Sequence, residues 1–399
     1  MNKKFWFLGI LCSLIIVTSP LFAQEQKLEQ ESAKMEEKKE KISFEGTATL
    51  VYQWMDGSKI DSKNRGSGAV DLGLTIRPIE NGKFFILGSF ASGNGLKDVS
   101  PFILTPNADD LEDDVKNING HEQQDNILEL WYEHTFNFGN DTAFKIRAGI
   151  LDATYLIDDN RFADDEINQF MNEVFVDTPL FTPPSYDLGA MLELSKGSFT
   201  TRFVIMTTKY SEYEEDYEIK PFYYQYYALE LAYNLKSSWG EGNYRIYGYT
   251  TSKDFPNWKE EPKKESIYGI GISLDQDLGF IKNPFGKNPI GFFMRAGWQN
   301  DDAIVNYRYL ISGGFNIPFC FLGREGNEIG IGYAYLDSPD KADLSNTHAL
   351  EAYAKFDLFS YERLSSNLTF DFQYLKDNYK NNEEDKEGYI IGFRWNLSF

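Results

Sequence analysis

The sequence predicts an all-β protein, specifically a transmembrane antiparallel β-barrel of about 16 strands with a helical constriction loop and a short N-terminal helical lead. Three observations lead to this prediction. Apolar and polar residues alternate with period two from residue 43 to the C-terminus. Aromatic residues make up 16% of a chain whose mean hydropathy is negative. An apolar export segment comes first. A helical membrane bundle is excluded, because each spanning helix needs about 20 consecutive apolar residues.

The N-terminus predicts export. Lys3 and Lys4 precede an apolar run over residues 5–17, and Ala23 supplies the small residue at a cleavage point. This is the pattern of a secretory signal peptide, so we expect residues 1–23 to be removed. The run is too short to favour a retained membrane helix. Cys320 is then the single cysteine of the mature chain, which leaves no intramolecular disulfide.

Residues 24–42 predict a charged helical periplasmic lead. Residues 24–41 contain no Gly or Pro and are rich in Glu, Lys and Gln, which are good helix formers. Leu28, Met35 and Ile42 recur every seven residues, so a short coiled coil is the alternative. A solvated helix is favoured, because charged residues fill the companion heptad position.

Residues 43–399 predict the barrel domain. In the last segment, Tyr389, Ile391 and Phe393 alternate with Ile390, Gly392 and Arg394. A soluble β-sandwich alternates as well, with its apolar face inward. In a membrane barrel the apolar face meets lipid and the polar face lines a lumen. The number of strands and the lengths of their connections distinguish these two folds.

Sixteen candidate strands can be traced, and long connections alternate with short ones for most of the chain. An even strand number, with long outer loops and short periplasmic turns, is typical of bacterial outer-membrane barrels. Closure of the barrel pairs every backbone polar group in lipid. The predicted strands are 43–55, 66–78, 82–92, 125–138, 142–153, 185–195, 198–208, 222–235, 241–252, 265–276, 289–300, 307–319, 327–337, 347–358, 364–376 and 387–399.

The C-terminal residue, Phe399, ends an alternating aromatic strand. This resembles the C-terminal signature of assembled outer-membrane barrels. We therefore expect the barrel-assembly machinery to recognise it, and outer-membrane lipid to surround the protein.

The sequence offers no catalytic, metal or cofactor site. Its three histidines, His121, His134 and His348, lack metal-ligand spacing, and no Gly-x-Ser-x-Gly motif is present. The acidic run at 111–122 does not fit a calcium-binding loop of the EF-hand type. The net charge of −22 argues against nucleic acid, whose phosphates require clustered Lys and Arg.

Charge distribution predicts where a channel would narrow. Loop 154–184 carries a net charge of −6, and its segment 162–175 has the apolar spacing of an amphipathic helix, which we expect to fold into the channel. Period-two alternation points basic residues of the wall inward, opposite this acidic loop. Trp131 and Tyr353 are expected to stack on sugar rings. The predicted constriction residues are Arg147, Arg202, Arg295, Asp158, Asp159, Asp164, Asp165, Glu166, Trp131, Glu129 and Tyr353.

Three blocks of sequence resemble the carbohydrate-selective porins, the OprB-type family. The first runs from Leu151-Asp152-Ala153-Thr154 to Gln169-Phe170-Met171-Asn172. The second comprises Ser312-Gly313-Gly314-Phe315 and the stretch 322–332; the third comprises residues 351–353 and 371–374. The resemblance covers roughly residues 43–399. It implies a sixteen-stranded sugar porin of the bacterial outer membrane.

The function expected from the sequence is passive diffusion of carbohydrates and other small hydrophilic solutes, without enzymatic activity. Two alternatives remain open: a nonspecific cation-preferring porin, and a structural or adhesive barrel with acidic cation-binding loops. The acidic loops disfavour an anion-specific pore. A homotrimer is left open as the oligomeric state.

Overall fold

The computed structural model describes residues 40–107, 125–139, 141–180, 184–208, 224–256, 258, 264–380 and 385–399. The predicted signal peptide, most of the predicted lead, and the acidic loop segments 108–124 and 209–223 lie outside these ranges.

The described chain forms a closed antiparallel barrel in which each strand pairs with its sequence neighbours and β1 pairs with β16. This confirms the predicted fold class and strand number. The strands are β1 Ile42–Ser58, β2 Ile60–Ile79, β3 Gly82–Ser92, β4 Asp125–Asn137, β5 Thr142–Leu151, β6 Asp187–Lys196, β7 Phe199–Thr208, β8 Tyr224–Ser237, β9 Gly240–Pro256, β10 Lys264–Asp277, β11 Gly291–Gln299, β12 Tyr309–Phe321, β13 Arg324–Asp337, β14 Leu344–Tyr361, β15 Leu364–Tyr379 and β16 Lys386–Ser398.

The two faces of the barrel follow the sequence pattern. On β16, Ile391 and Phe393 are exposed on the outside, whereas Arg394 and Asn396 are fully buried on the lumen side. An exposed apolar exterior suits contact with lipid, and a polar interior suits a channel. Among the described residues, no helix has both the length and the apolar composition needed to cross a membrane.

The first hairpin is longer than the sequence suggested. Strands β1 and β2 stay paired up to Gly57 and Ile60, and the chain reverses at Ser58 and Lys59, where Lys59 has a left-handed φ of 62°. Residues 56–65 are mostly polar and lack alternation, so they read as a loop. Main-chain pairing extends this hairpin beyond its alternating apolar part, and the predicted loop at 56–65 is therefore wrong.

Phe399 completes the closure of the barrel. Its main-chain N–H and C=O each hydrogen-bond to Gly46 on β1, both at 3.0 Å. A Cβ atom at position 46 would lie 2.5 Å from Cζ of the Phe399 ring and 3.1 Å from the carbonyl oxygen of Asp71. A side chain at position 46 would therefore displace the Phe399 ring.

Replacing this glycine tests the closure. Gly46→Val is expected to lower the free energy of unfolding by about 1–3 kcal/mol, the usual cost of overpacking. The measurement is urea unfolding in lipid vesicles. Gly248→Val is the matched control, because a Cβ at Gly248 meets nothing closer than 3.4 Å. Equal midpoints for Gly46→Val and the wild type would contradict this account of the seam.

Candidate functional site

The connection between β5 and β6, residues 152–186, folds into the barrel; we call it the inserted loop. Its described residues contact lumen-facing side chains on strands from β8 to β16. The amphipathic helix predicted over 162–175 is wrong. The segment forms turns, and only Glu173–Val176 (α1) is helical.

Side-chain caps explain the irregular backbone of the inserted loop. The carboxylate of Asp165 accepts the N–H groups of Ile167 and Asn168 at 2.9 and 2.8 Å, and Asn172 accepts that of Val174 at 3.1 Å. Asp and Asn compete with helical hydrogen bonding in this way. The loop therefore presents main-chain groups to the barrel wall.

Arg295 on β11 is the central tie between wall and loop. Its Nε donates to Asp158 at 2.7 Å, one Nη donates to the Phe175 carbonyl at 2.8 Å, and the other lies 3.4 Å from Asp164. The side chain is 1% exposed. Asp158 also accepts the Tyr247 hydroxyl at 3.0 Å. One enclosed guanidinium thus fixes three points of the loop.

A second set of ties holds the tip of the loop against β14–β16. Glu351 accepts the N–H groups of Met171 and Asn172 at 2.5 and 3.0 Å. Arg394 donates to main-chain carbonyls of the loop, including that of Gln169 at 2.7 Å. Charged wall groups thereby satisfy main-chain groups that an irregular segment cannot satisfy itself.

Aromatic packing seats the same tip. The ring centroid of Phe170 lies 5.0 Å from that of Tyr353, in an edge-to-face arrangement, and 4.8 Å from that of Phe175. Glycines on the wall make room for these rings: a Cβ at Gly332 would meet the Phe175 ring at 2.7 Å, and one at Gly330 would meet Tyr353 at 2.0 Å. The tip of the inserted loop therefore packs against the glycine-rich strand β13.

A second segment, residues 93–107, also enters the lumen, which the sequence analysis did not predict. Leu96 and Leu104 are fully buried, and Phe102 is nearly so. The carbonyl of Pro106 accepts the side-chain amides of Gln53 and Gln373 at 2.9 and 2.7 Å. This segment and the inserted loop share one hydrophobic cluster inside the barrel.

The wall from β4 to β7 carries paired charges that remain partly exposed. Arg147 donates twice to Glu133, at 2.9 and 2.7 Å. Lys145 and Arg202 contact Glu193 at 3.0 and 2.9 Å. The side chains of Arg147 and Lys145 are 20% and 29% exposed, so this wall lines the open part of the lumen.

Trp131 lies among these charges. The Arg147 guanidinium is 4.0 Å and the Lys83 ammonium 4.7 Å from the centroid of its ring. Its indole N–H donates to Glu129 at 2.7 Å. Trp131 is only 5% exposed, so its ring offers little surface for stacking.

An acidic cavity is lined by residues of the inserted loop itself. Burial, followed by repulsion from Asp165, raises the pKa of Glu166 to about 7. Burial raises the pKa of Asp152 to about 6 and raises those of Asp164 and Asp177 as well. Within the described ranges, no three His, Cys, Asp or Glu side chains are arranged to hold a metal ion. The lining residues are Asp152, Thr154, Tyr155, Asp164, Glu166, Val176, Asp177, Ser185 and Tyr186.

The structure separates the predicted constriction residues into two groups. Arg147, Glu129, Asp164 and Glu166 lie along the open wall or the acidic cavity. Arg202 lies at the edge of that wall and donates to the Leu156 carbonyl of the inserted loop at 2.6 Å. Three others hold the inserted loop or shape its turns: Arg295, Asp158 and Asp165. Asp159 is exposed on the loop.

Tyr353 and Arg295 are corrections to the expected channel lining. Tyr353 is 2% exposed beneath Phe170, and its hydroxyl is bound to Glu328 and Asn316. Its ring therefore has no face open to a solute. Arg295 is fully enclosed and acts as a tie.

The site residues predicted from the sequence do not include Lys83, Glu133, Glu193, Tyr155 or Tyr186. For the strand residues, the period-two alternation could have indicated a lumen position. Lys83, for example, follows a short turn and lies on the lumen face of β3. The tyrosines gave no such signal, since their loop is irregular.

Replacing Arg295 is expected to release the inserted loop from the barrel wall. Arg295→Met leaves Asp158 buried without its charge partner, which should cost about 3–5 kcal/mol of stability. We expect larger and noisier single-channel conductance, measured in planar bilayers. Arg308→Met is the control: Arg308 contacts Asp337 at 2.8 Å with 27% of its side chain exposed. Unchanged conductance and stability in Arg295→Met would show that Arg295 does not hold the loop.

The acidic cavity predicts pH-dependent ion selectivity. Because the pKa of Glu166 is raised to about 7 and that of Asp152 to about 6, both carboxyls are largely protonated at pH 5 and ionised at pH 8. The permeability ratio of K⁺ to Cl⁻, from reversal potentials, should therefore rise with pH. Glu166→Gln should flatten the rise around neutral pH, whereas Glu387→Gln on the exterior should not. Selectivity that falls as pH rises would refute this assignment.

Comparison with known proteins agrees with this architecture. The family model for "Carbohydrate-selective porin, OprB family" matches residues 111–399. A protein of Aquifex aeolicus, described as uncharacterized, is 30% identical over 362 residues, covering 88% of this chain and 93% of that protein.

Two solved structures have a similar fold. Pseudomonas putida OprB, in its high-pH structure, aligns with a TM-score of 0.69 at 14% identity, covering 90% of this chain and 94% of that one. OmpF of Salmonella typhi aligns with a TM-score of 0.54 at 6% identity, covering 90% and 97%. On the strength of the family match and the Aquifex relative, this chain belongs to the carbohydrate-selective porin (OprB) family of outer-membrane proteins.

Proposed function

We propose that this porin allows passive diffusion of carbohydrates and other small hydrophilic solutes across the outer membrane. The observation that carries the proposal is the paired-charge wall, in which Arg147 meets Glu133 and both Lys145 and Arg202 meet Glu193. Each pair presents donors and acceptors side by side in a confined passage. Such an array supports a channel in preference to an enzyme.

Paired charges suit hydroxyl groups, because a hydroxyl both donates and accepts a hydrogen bond. A sugar that leaves bulk water loses hydrogen bonds, and the wall replaces them at each step. The carboxylates of Glu133 and Glu193 accept, while Arg147 and Lys145 donate. Apolar solutes gain nothing from this wall and still disrupt its hydration, so the passage disfavours them.

Tyr155 is the better candidate for stacking on a sugar ring. It is 46% exposed, lines the acidic cavity, and its hydroxyl donates to Glu166 at 2.9 Å. By contrast, Trp131 is covered by two cations and Tyr353 by Phe170. We therefore assign the aromatic role in sugar passage to Tyr155.

A nonspecific cation-preferring porin is the second candidate function. It is favoured by the acidic cavity, where Asp152, Asp164, Glu166 and Asp177 share one lining. Ionised carboxylates there would raise the local concentration of cations. A structural or adhesive barrel with acidic cation-binding loops is the third candidate function.

Processing, assembly and oligomeric state complete the proposal. We expect residues 1–23 to be cleaved as a signal peptide, residues 24–42 to form a periplasmic lead, and residues 43–399 to be the barrel domain. The barrel-assembly machinery would recognise Phe399. A homotrimer is proposed as one oligomeric state, to be tested by analytical ultracentrifugation in detergent.

Current block by sugars tests the proposed function. Mono- and oligosaccharides should reduce the single-channel current of the refolded protein in a saturable manner. The double variant Arg147→Gln, Glu133→Gln removes one charge pair while keeping polar side chains, and sugar block should weaken by about tenfold, since hydrogen bonds to charged groups contribute about 1.5–3 kcal/mol each. Lys376→Gln on the exterior is the control.

The remaining outcomes separate the alternatives. Open, cation-selective channels without saturable block would leave a general porin. A correctly folded barrel that conducts no current would favour the structural reading.

A further inference from the structure

We propose that Lys83 forms an anion-binding point in the periplasmic half of the passage, which takes the carboxylate of an acidic, hydroxylated solute such as a sugar acid. The inference deepens the proposed function and rests on it. It concerns a class of solute that the paired-charge wall alone does not select.

Lys83 lies on the lumen side near the end of the barrel with short turns. It is the second residue of β3, directly after the turn at residues 80–81. Its neighbour Phe84 is exposed on the outside, and the Lys83 ammonium lies over the ring of lumen-facing Trp131 at 4.7 Å. Short turns mark the periplasmic end of such barrels.

Lys83 differs from the other basic residues of this wall in its partners. Arg147, Lys145 and Arg202 each form an ion pair with a glutamate. Among the described residues, no carboxylate lies within ion-pair distance of Lys83. Glu133 pairs opposite Lys83 in the strand register, but its carboxylate is bound twice by Arg147. Arg147 therefore holds this carboxylate, and Lys83 is left without a carboxylate partner among the described residues.

Other cations reinforce the positive potential at this point. Arg147, Arg77 and Lys145 act electrostatically on the Lys83 ammonium, and Glu133 opposes them with a larger effect than any one of these cations. Like charges gathered in a partly enclosed passage attract an anion more strongly than the same charges in bulk water. A bound carboxylate would give Lys83 the partner that Glu133 supplies to Arg147.

The chemistry of the surroundings defines the ligand class. The Lys83 ammonium is a compact donor of three hydrogen bonds and suits one carboxylate oxygen. The neighbouring pairs of Arg147 with Glu133 and Lys145 with Glu193 supply donors and acceptors for hydroxyls. A carboxylate joined to several hydroxyls, as in an aldonate or uronate, matches both features.

The acidic cavity predicts an asymmetry. Lys83 pairs opposite Glu133 near the short-turn end, whereas Glu129 and the carboxylates of the inserted loop lie nearer the long-loop end. An anion arriving from the long-loop side meets Asp152, Glu166 and Asp177 first, which slows its approach. An anion from the short-turn side reaches Lys83 directly and should bind with a faster on-rate.

Single-channel block with three solutes tests the proposal. Glucuronate, glucose and acetate are added in turn to the wild type and to Lys83→Gln, Lys83→Arg and the exterior control Lys376→Gln. Glucuronate block should weaken by about tenfold in Lys83→Gln, the scale of one charge-assisted hydrogen bond. It should be retained in Lys83→Arg and Lys376→Gln. Glucose block should stay unchanged in all four proteins, and acetate should block weakly.

The result also separates this proposal from the proposed function. Suppose that glucose blocks the channel but that Lys83→Gln does not change block by glucuronate. That result would overturn the anion-binding point and leave the proposed sugar porin intact. Glucuronate block that depends on Lys83, in a channel that glucose does not block, would keep the anion-binding point and overturn passage of neutral sugars. Equal losses of glucose and glucuronate block in Lys83→Gln would show a general change in the lumen and overturn the anion-specific role.

Discussion

The enclosed ion pair between Arg295 and Asp158 is the interaction on which the shape of the channel depends. A loop that enters a barrel carries main-chain groups that need partners, and the lumen wall supplies them through charged side chains. Arg295 fixes one part of the inserted loop, and Glu351 and Arg394 fix its tip. With the loop packed on the β8–β16 side, the opposite wall is left to form the passage.

Opposite charges are arranged along the passage as well as across it. Carboxylates of the inserted loop surround the cavity towards the long-loop end, whereas the cations of β3 and β5 lie below Trp131. The field therefore has a component along the direction of travel. Glu133 and Glu193 pair with Arg147 and Lys145, so a solute meets acceptors throughout the passage and donors chiefly towards the short-turn end.

The barrel could be predicted from the sequence because lipid imposes a strict alternation on every strand, visible in residues such as Ile391, Phe393 and Arg394. The inward fold of the 152–186 loop was predicted too, but its conformation was not. Its apolar residues have the spacing of one helix face, but they contact glycines on β13 and a cluster of aromatic rings, and no single flat surface receives them as a helix. The roles of Arg295 and Tyr353 depend on which residues the loop covers, and strand periodicity carries no information on that.

The structure predicts that the inserted loop covers the β8–β16 side and leaves the β3–β6 side open. Cysteine accessibility tests it most directly, in a Cys320→Ser background. Ser195→Cys lies on the lumen face of β6, and Ala334→Cys lies on β13, where the native alanine is fully buried. A charged methanethiosulfonate reagent should change the single-channel current of Ser195→Cys and leave that of Ala334→Cys unchanged. Rapid modification at residue 334, or no effect at residue 195, would contradict the account.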